Sequence, residues 1–507
     1  MTISDNPPTA AEKTAGLLAV CLAAAAMPLT FTGPAVALTD IGRSLGGSPI
    51  ALNWVTNAFM LTFGSALMAA GALADHHGRK RVFLAGTGAF ALFSLGLIAA
   101  PNILWFDLLR AAQGLAAAAA FAGGMAALAQ EFDGHARTRA FSIVGTSFGV
   151  GLSLGPIASA MMIDAFGWRS IFVLVLALVG PSFVLAARVL RDSRDPAAKG
   201  LDWGGAISFT AALTLFTFGV LLAPQRGWVD SRVIALLIGA AALFAVFGLI
   251  EKRVARPMLD LTLFRYPRFV GVQLLAAAPA YAFVVLLILL PIRFVGIEGM
   301  SVIGAGQLMI ALSAPLLILP ILAGLLTRLL SPAIICGIGL LVSAGGLFWL
   351  SGVPVGLAHS FLVAPLAMIG IGISLPWGLM DGLAVSVVPK ERAGMATGIF
   401  STTRVAGEGV ALAVVSAILS AMTAAHLPGG SATAAQRLAT GDLAGAAAAL
   451  PGVARALLVQ GYSAAFGTLL LLLTGITVLT AIVVFLFLGR GEQPTQVALR
   501  ECPAVGD

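Results

Sequence analysis

The stretch GALADHHGRKR, Gly71 to Arg81, joins two long apolar runs, and its residues indicate how those runs are connected. Gly71 permits close contact between helices, and Gly78 allows a tight turn. Asp75 can face the positive N-terminal end of a neighbouring helix. Three basic residues then hold the connection on the cytoplasmic side of a membrane: Arg79, Lys80 and Arg81. The stretch therefore predicts an inner turn between two membrane helices.

The composition around this turn is that of a membrane protein. Of 507 residues, 59% are hydrophobic and only 10% are charged, against about 25% charged in a typical soluble domain. The run from Ala456 to Gly489 has no Asp, Glu, Lys or Arg, and about 20 apolar residues already cross a bilayer. The net charge of +7 is spread over loops, so the lipid bilayer and not nucleic acid is the expected partner.

Apolar runs bounded by charges or by Gly and Pro predict fourteen membrane helices. Most of the 29 Lys and Arg residues lie in loops on one side of this arrangement, which predicts that both termini are cytoplasmic. An Ala- and Gly-rich outer segment, 421–456, is expected to form a hairpin or a helical excursion. The predicted helices are 14–38, 49–74, 82–100, 104–129, 139–163, 169–190, 203–223, 231–250, 269–291, 302–326, 332–351, 358–387, 394–420 and 457–488.

Three further motifs accompany the inner turn. They are NWVTNAFMLTFG (Asn53–Gly64) in helix 2, RAAQGLAAA (Arg110–Ala118) in helix 4 and GLSLGPIAS (Gly151–Ser159) in helix 5. Together with GALADHHGRKR they resemble the major facilitator superfamily, and within it the fourteen-helix drug:proton antiporter branch. The segment VPKERAGMATGIFSTTRVAG, Val388 to Gly407, also looks like that branch.

The resemblance implies an all-α membrane protein of the major facilitator fold, with two six-helix bundles and two extra helices. The expected units are an N-terminal bundle (1–190), a two-helix linker with an inner loop (191–268), and a C-terminal bundle with a short tail (269–507). It also implies a monomer without metal or cofactor that exports amphipathic molecules in exchange for protons. The expected gating loop contains Gly71, Asp75, Gly78, Arg79 and Lys80, and the expected antiporter motif contains Gly151, Gly155 and Pro156.

Helix 5 carries two ladders of small residues at four-residue spacing. One ladder is Gly145, Gly149 and Ser153, and the other is Gly151, Gly155 and Ser159. Small faces of this kind let membrane helices approach closely. The pattern is explained by tight packing alone, or by a contact that slides or bends during transport.

Charged residues inside predicted helices are the candidates for proton coupling, because a charge in a bilayer normally has a partner or a function. Arg404 and Glu408 lie four residues apart on one face of helix 13. They form either an ion pair or a site where Glu408 binds a proton or substrate. Asp107 and Arg110 allow the same two interpretations in helix 4. Asp381 in helix 12 is another candidate, although a solvated carboxylate at the inner end explains it too.

The usual acid of helix 1 is missing in this chain. In PLTFTGPAVALTDI, Pro28 to Ile41, Thr30 occupies the position where the resembling branch has Asp. If the protein is coupled to protons, another residue must carry them, and Glu408 ranks first.

The remaining polar residues within the helices are candidates for the substrate cavity, although each can instead face a neighbouring helix. An exporter of an anionic metabolite, with Arg404 binding the carboxylate, is the second hypothesis, and a non-transporting receptor is a third. No cluster of nucleophile and base suggests an enzyme. The cavity candidates are Asn53, Asn57, Gln113, Gln273, Tyr281, Gln307 and Trp377.

Overall fold

A computed structural model describes residues 9–132, 134–194, 202–254, 259, 261–356, 360–387 and 393–488. In these ranges the chain forms helices and no strands, and fourteen helical segments are long and apolar enough to cross a membrane. The fourteen predicted helices are thereby confirmed. We number them α1 (Ala10–Val36), α2 (Pro49–His77), α3 (Arg79–Ile98), α4 (Ile103–Glu131), α5 (Gly134–Phe166), α6 (Ser170–Val189), α7 (Trp203–Arg226), α8 (Ser231–Arg253), α9 (Pro267–Ile297), α10 (Val302–Leu326), α11 (Pro332–Ser351), α12 (Ser360–Ser386), α13 (Ala393–His426) and α14 (Arg455–Leu488).

Polar caps set the starts of several of these helices. The Ser48 hydroxyl accepts a hydrogen bond from the Ala51 amide at the start of α2, and Pro49 occupies the first turn. The Asn102 side chain caps α4 in the same way through the Trp105 amide. Such caps satisfy amides that have no partner within the helix. Each apolar run therefore begins as a helix where its polar flank ends.

Helix α9 differs from its prediction, which ended it at residue 291. The span continues to Ile297 and contains π-helical turns at Ala280–Val284 and Ile292–Ile297. Proline often ends a regular helix because it has no N–H to donate, yet the chain stays helical past Pro291 in a wider, π-helical turn. Arg293, which lies beyond the predicted end at residue 291, is therefore within a membrane helix.

Helices α1–α6 pack closely on one another through small residues. A Cβ on Gly151 of α5 would overlap the Ala25 carbonyl of α1, and a Cβ on Gly155 would lie 2.7 Å from the Thr32 hydroxyl. Ser159, the third member of the same ladder, faces Gly33 of α1. This ladder of α5 is therefore a packing surface within the first six helices.

Helix α7 lies where α2 and α13 meet. Leu213 of α7 packs with Leu61 of α2 and Ala406 of α13, and α7 also packs along α8. The two helices that follow the first six thus form a pair, of which α7 contacts both sets of six.

Among the described residues, the most extensive contacts between the first six helices and the last six lie at α2–α13 and α5–α10, and α1 also contacts α9. At the α2–α13 interface a Cβ on Gly64 would overlap the backbone nitrogen of Ala406, so the two backbones touch. At the α5–α10 interface the Ser153 hydroxyl donates to the Ser313 carbonyl at 2.7 Å, and the Ser313 hydroxyl donates to the Ser153 carbonyl at 2.8 Å. Ser153 belongs to the ladder that also contains Gly145 and Gly149. A Cβ added to either of these glycines would meet no atom within 4 Å.

The segment between α13 and α14 forms a helical excursion. It contains two short helices, Ala432–Ala439 and Leu443–Ala449. Gln436 on the first of them is buried and lines a cavity of about 10 Å³ with Asn53 of α2 and Ser416 and Ser420 of α13. The excursion therefore covers one end of the α2–α13 interface.

Candidate functional site

Arg404 lies about a third of the way along α13, counted from Ala393, and is bonded to α12. Its Nη1 contacts the Asp381 Oδ1 at 3.4 Å. The guanidinium also lies 5.5 Å from the Phe400 ring centre and 5.8 Å from that of Trp377, within the range of cation–π attraction. The Arg404 side chain is 9% exposed, whereas that of Asp381 is 55% exposed. A buried cation is thus balanced by an exposed carboxylate.

Glu408 lies one turn C-terminal to Arg404 on the same helix. It is 2% exposed, and it makes no ion pair within 4.0 Å and no hydrogen bond with any residue that the structure describes. The predicted alternative of an Arg404–Glu408 ion pair is therefore not formed, because the guanidinium is bonded to Asp381. Glu408 is a buried carboxyl group without a partner.

Arg110 of α4 is held differently. It is 0% exposed; its Nε donates to the Val55 carbonyl of α2 at 2.8 Å, and its Nη1 donates to the Gln113 side chain at 2.7 Å. Gln113 in turn donates to the Ser94 hydroxyl of α3 at 2.9 Å. The guanidinium lies 4.7 Å from the Phe59 ring centre. This network joins α2, α3 and α4 through neutral partners.

Asp107 lies one turn N-terminal to Arg110, and the predicted ion pair between them is not formed within 4.0 Å. Asp107 Oδ1 and Arg110 Nη2 are both buried without a hydrogen-bond partner. Arg110 uses its other nitrogens on a backbone carbonyl and an amide, so it does not turn towards the acid.

Thr30 of α1 does not supply the missing acid. It is fully buried, and its hydroxyl donates to the Met27 carbonyl of its own helix. Since a hydroxyl so engaged carries no titratable proton near neutrality, the structure leaves α1 without a proton site at this position.

The inner turn holds its shape through hydrogen bonds and ion pairs. Asp75 accepts from Arg79 Nε and Nη2 at 3.1 and 2.9 Å, and Arg79 Nη1 donates to Gln130 of α4 at 2.6 Å. Lys80 donates to the Ala187 carbonyl of α6 at 2.8 Å. Gly78 has a φ of 111°, which favours glycine. The turn thus connects α2 and α3 to α4 and α6. The close helix contact predicted at Gly71 is not formed, because a Cβ at Gly71 would meet no described atom within 4 Å.

The predicted cavity residues do not form one cluster. Trp377 is buried against Phe283 of α9 and the Arg404 guanidinium. Gln113 belongs to the Arg110 network and Tyr281 bonds Thr480 of α14, so both face neighbouring helices. Asn53 and Asn57 lie on α2, where the Asn57 amide donates to the Asn53 carbonyl at 2.9 Å and its Oδ1 is buried without a partner.

Two glutamines differ in their exposure. Gln273 of α9 is buried and both of its side-chain polar atoms lack a partner, which fits a site that binds a ligand. Gln307 of α10 is exposed and contributes to no cluster of the described residues.

The sequence interpretation missed a buried ion pair in α9. Arg293 Nε contacts Glu298 Oε1 at 2.7 Å, and these side chains are 2% and 6% exposed. Arg293 also lies 5.1 Å from the Phe466 ring centre of α14. The five-residue spacing of opposite charges after Pro291 was a signal for this pair, because a π-helical turn brings residues i and i+5 together.

The fourteen spans and the buried charges between them define a multi-pass membrane protein. The chain belongs to the Major Facilitator Superfamily, whose family model matches residues 18–411. It is 30% identical to the multidrug resistance protein Stp of Mycobacterium tuberculosis, over 77% of this chain and 73% of that protein. It is 32% identical to the cephamycin export protein CmcT of Amycolatopsis lactamdurans, over 75% of this chain and 79% of that protein.

Solved structures share the fold at low sequence identity. The transporter PepTSo of the POT family matches 93% of this chain and 97% of its own, with a TM-score of 0.62 and 13% identity. The predicted major facilitator fold is thereby confirmed. Family and fold are those of transporters and not of enzymes.

Proposed function

We propose that this protein is a proton-coupled antiporter that exports amphipathic small molecules from the cell by alternating access. The names of the relatives, a multidrug resistance protein and an antibiotic export protein, support both the direction and the class of cargo. Glu408 is the proposed proton carrier. The proton binds where water enters from outside and leaves where water enters from inside.

The observation that carries this proposal is the unpaired carboxyl of Glu408. A charge inside a bilayer is costly, at least about 2.5 kcal/mol by insertion scales, unless a partner or water balances it. Glu408 is 2% exposed and the nearest arginine is bonded elsewhere. This buried position favours the protonated, neutral form of Glu408. The charged form would need water, a cationic substrate or the Arg404 guanidinium beside it to balance its charge. A proton and a substrate therefore compete for one site.

The moving units in this proposal are the predicted ones. The bundle of residues 1–190 and the bundle of residues 269–507 rock about the α2–α13 and α5–α10 interfaces, with 191–268 as the linker. Rocking of two repeats about a central site is how transporters of this architecture work. In the proposed orientation both termini are cytoplasmic, the protein lies in the cell membrane, and a monomer is sufficient.

The second hypothesis, export of an anionic metabolite, required Arg404 to be available to a carboxylate. In the structure the Arg404 charge is balanced by Asp381 at 3.4 Å. An anionic substrate would first have to displace Asp381, so this geometry favours the antiporter of amphipathic compounds.

Drug-dependent proton movement in inverted membrane vesicles tests the proposal. We expect cationic amphiphiles to release protons from acidified vesicles carrying the wild type, and Glu408→Gln to abolish that release. Glu131→Gln is the matched control. Glu131 also has a buried oxygen without a partner, but at the inner end of α4. Unchanged coupling in Glu408→Gln would overturn Glu408 as the carrier, and release driven only by anions would support the second hypothesis.

A further inference from the structure

Arg404 lies near two carboxyl groups that differ in their exposure. Asp381 on α12 is bonded to it and is more than half exposed, and Glu408 one turn away is buried. Residues four apart on a helix have side chains on the same face. A long, flexible arginine side chain can therefore reach either acid, but a single guanidinium in a buried position balances one of them at a time.

We propose that Asp381 is a positioning residue. It holds Arg404 away from Glu408 while Glu408 carries a proton, and it releases Arg404 to Glu408 when that proton leaves. This inference rests on the proposed function, in which Glu408 is the carrier. In the step itself, the O–H bond of Glu408 breaks, the proton passes to water on the inner side, and the Arg404 guanidinium moves to the new carboxylate. Asp381 is then hydrated.

The difference in exposure makes this exchange favourable. Asp381, with 55% of its side chain exposed, is solvated by water when it loses Arg404, so the loss costs little. Glu408 is 2% exposed and has no such alternative, so its carboxylate attracts the cation more strongly than Asp381 does. With Glu408 protonated the attraction disappears, and the observed bond to Asp381 is the preferred arrangement.

No other described charge competes for this role. The elements packed against α13 are α2, α7, α9, α12, α14 and the short helix Ala432–Ala439. Apart from Asp381, their charged or titratable groups either bond residues other than Arg404 and Glu408 or lie near the ends of their helices. These groups are Asp75, His76 and His77 on α2, Arg226 on α7, Arg268, Tyr281 and Arg293 on α9, Arg455 and Tyr462 on α14, and Arg437 on the short helix.

The exchange has a structural consequence at the inner end of α13. The Arg404–Asp381 bond ties α13 to α12, and the guanidinium contacts Phe400. The neighbouring Ile399 packs with Phe269 of α9 and Met68 of α2. Movement of the guanidinium outward by about one helical turn, ~5 Å, would release α12 next to this contact between the two sets of six helices. Proton release and loosening of the inner contact are therefore one event.

The pH dependence of export by purified protein in liposomes tests this inference. In Asp381→Asn the guanidinium is free to stay with Glu408, so we expect the pH of half-maximal proton-coupled export to move about one unit lower. Asp381→Glu restores the carboxylate and should restore the wild-type profile. Asp40→Asn is the control, because Asp40 forms an exposed ion pair of similar length, 3.5 Å, with Arg43 in a short outer helix.

The double variant separates the two proposals. Glu408→Gln removes the titrating group, so adding Asp381→Asn to it should leave the pH dependence of substrate binding unchanged. An unshifted or upward-shifted profile in Asp381→Asn, with Glu408→Gln uncoupled, would overturn the inference and leave the proposed function standing. Coupling that survives in Glu408→Gln would overturn both. If Asp381→Asn does not fold, Asp381→Ser provides the same measurement.

Discussion

The two sets of six helices each contain a buried arginine with an acid one turn away on the same helix. In the first set Arg110 is bound by the Val55 carbonyl and the Gln113 amide, and Asp107 is left unpaired. In the last set Arg404 is bound by the carboxylate of Asp381, and Glu408 is left unpaired. The arrangement is similar, but the partners differ in kind.

Because of that difference, Arg110 keeps its partners, whereas Arg404 can exchange its partner. A carbonyl and an amide cannot change charge; the Val55 carbonyl lies on α2, which packs closely on α4, and Gln113 lies on α4 itself, so Arg110 has no reason to leave them. Asp381 can be hydrated when it is released. Arg110 therefore fixes the first set of helices, whereas Arg404 is held by a bond that water can replace.

Arg110→Ala should have the largest effect of the changes that test this contrast. It leaves the Val55 carbonyl and the Gln113 side chain unsatisfied in a dry interior, at about 1–3 kcal/mol each, and it removes a fully buried side chain. We expect a large drop in melting temperature in detergent and loss of transport. Arg404→Ala, measured beside it, should also lose transport, but with a smaller drop in melting temperature. Equal drops would contradict the proposed difference between the two arginines.

Gln113→Leu should have an intermediate effect. The substitution leaves Arg110 Nη1 without its acceptor at 2.7 Å, a loss of about 1–3 kcal/mol for a buried donor. Thermal unfolding of purified protein measures this loss. Gln307→Leu serves as the control because Gln307 is exposed, and its melting temperature should match that of the wild type. A Gln113→Leu protein as stable as the wild type would contradict the network.

Asp107→Asn should have the smallest effect. Asp107 makes no ion pair with Arg110, and the amide has nearly the same shape as the carboxyl group. We expect drug-dependent proton movement within about threefold of the wild type, less than half an order of magnitude or ~0.7 kcal/mol. A loss as complete as that of Glu408→Gln would transfer the coupling role to the first set of helices.

The sequence was sufficient for the fold and for the positions of the buried charges on α4 and α13. Apolar runs define helices by length, and the motifs around Gly71, Arg110 and Gly151 identify the superfamily. Sequence spacing was not sufficient for the pairs. Arg404 and Glu408 lie on one face of a helix, yet Arg404 turns to Asp381, which is 23 residues away in sequence. The direction of a long side chain depends on the helices packed around it, and spacing along one helix does not contain that information.

The end of α9 shows a second limit. Pro291 and the following arginine resemble a helix terminus, because proline interrupts regular helical hydrogen bonds. The structure continues through a π-helical turn and buries Arg293 against Glu298. Likewise, the bond between Ser153 and Ser313 joins residues 160 positions apart, and neither ladder of α5 identified its partner helix.

The buried pair in α9 also bears on how the chain enters the membrane during synthesis. An arginine that reaches a bilayer without a partner resists insertion. The counter-ion of Arg293 is Glu298, the residue that follows the end of the same helix. The other two buried arginines of the described residues find partners on helices made earlier: Val55 precedes Arg110, and Asp381 precedes Arg404. Arg110 and Arg404 therefore have a partner that is already synthesised, and Arg293 gains one within five residues, so none of the three has to wait in the lipid for a later membrane helix.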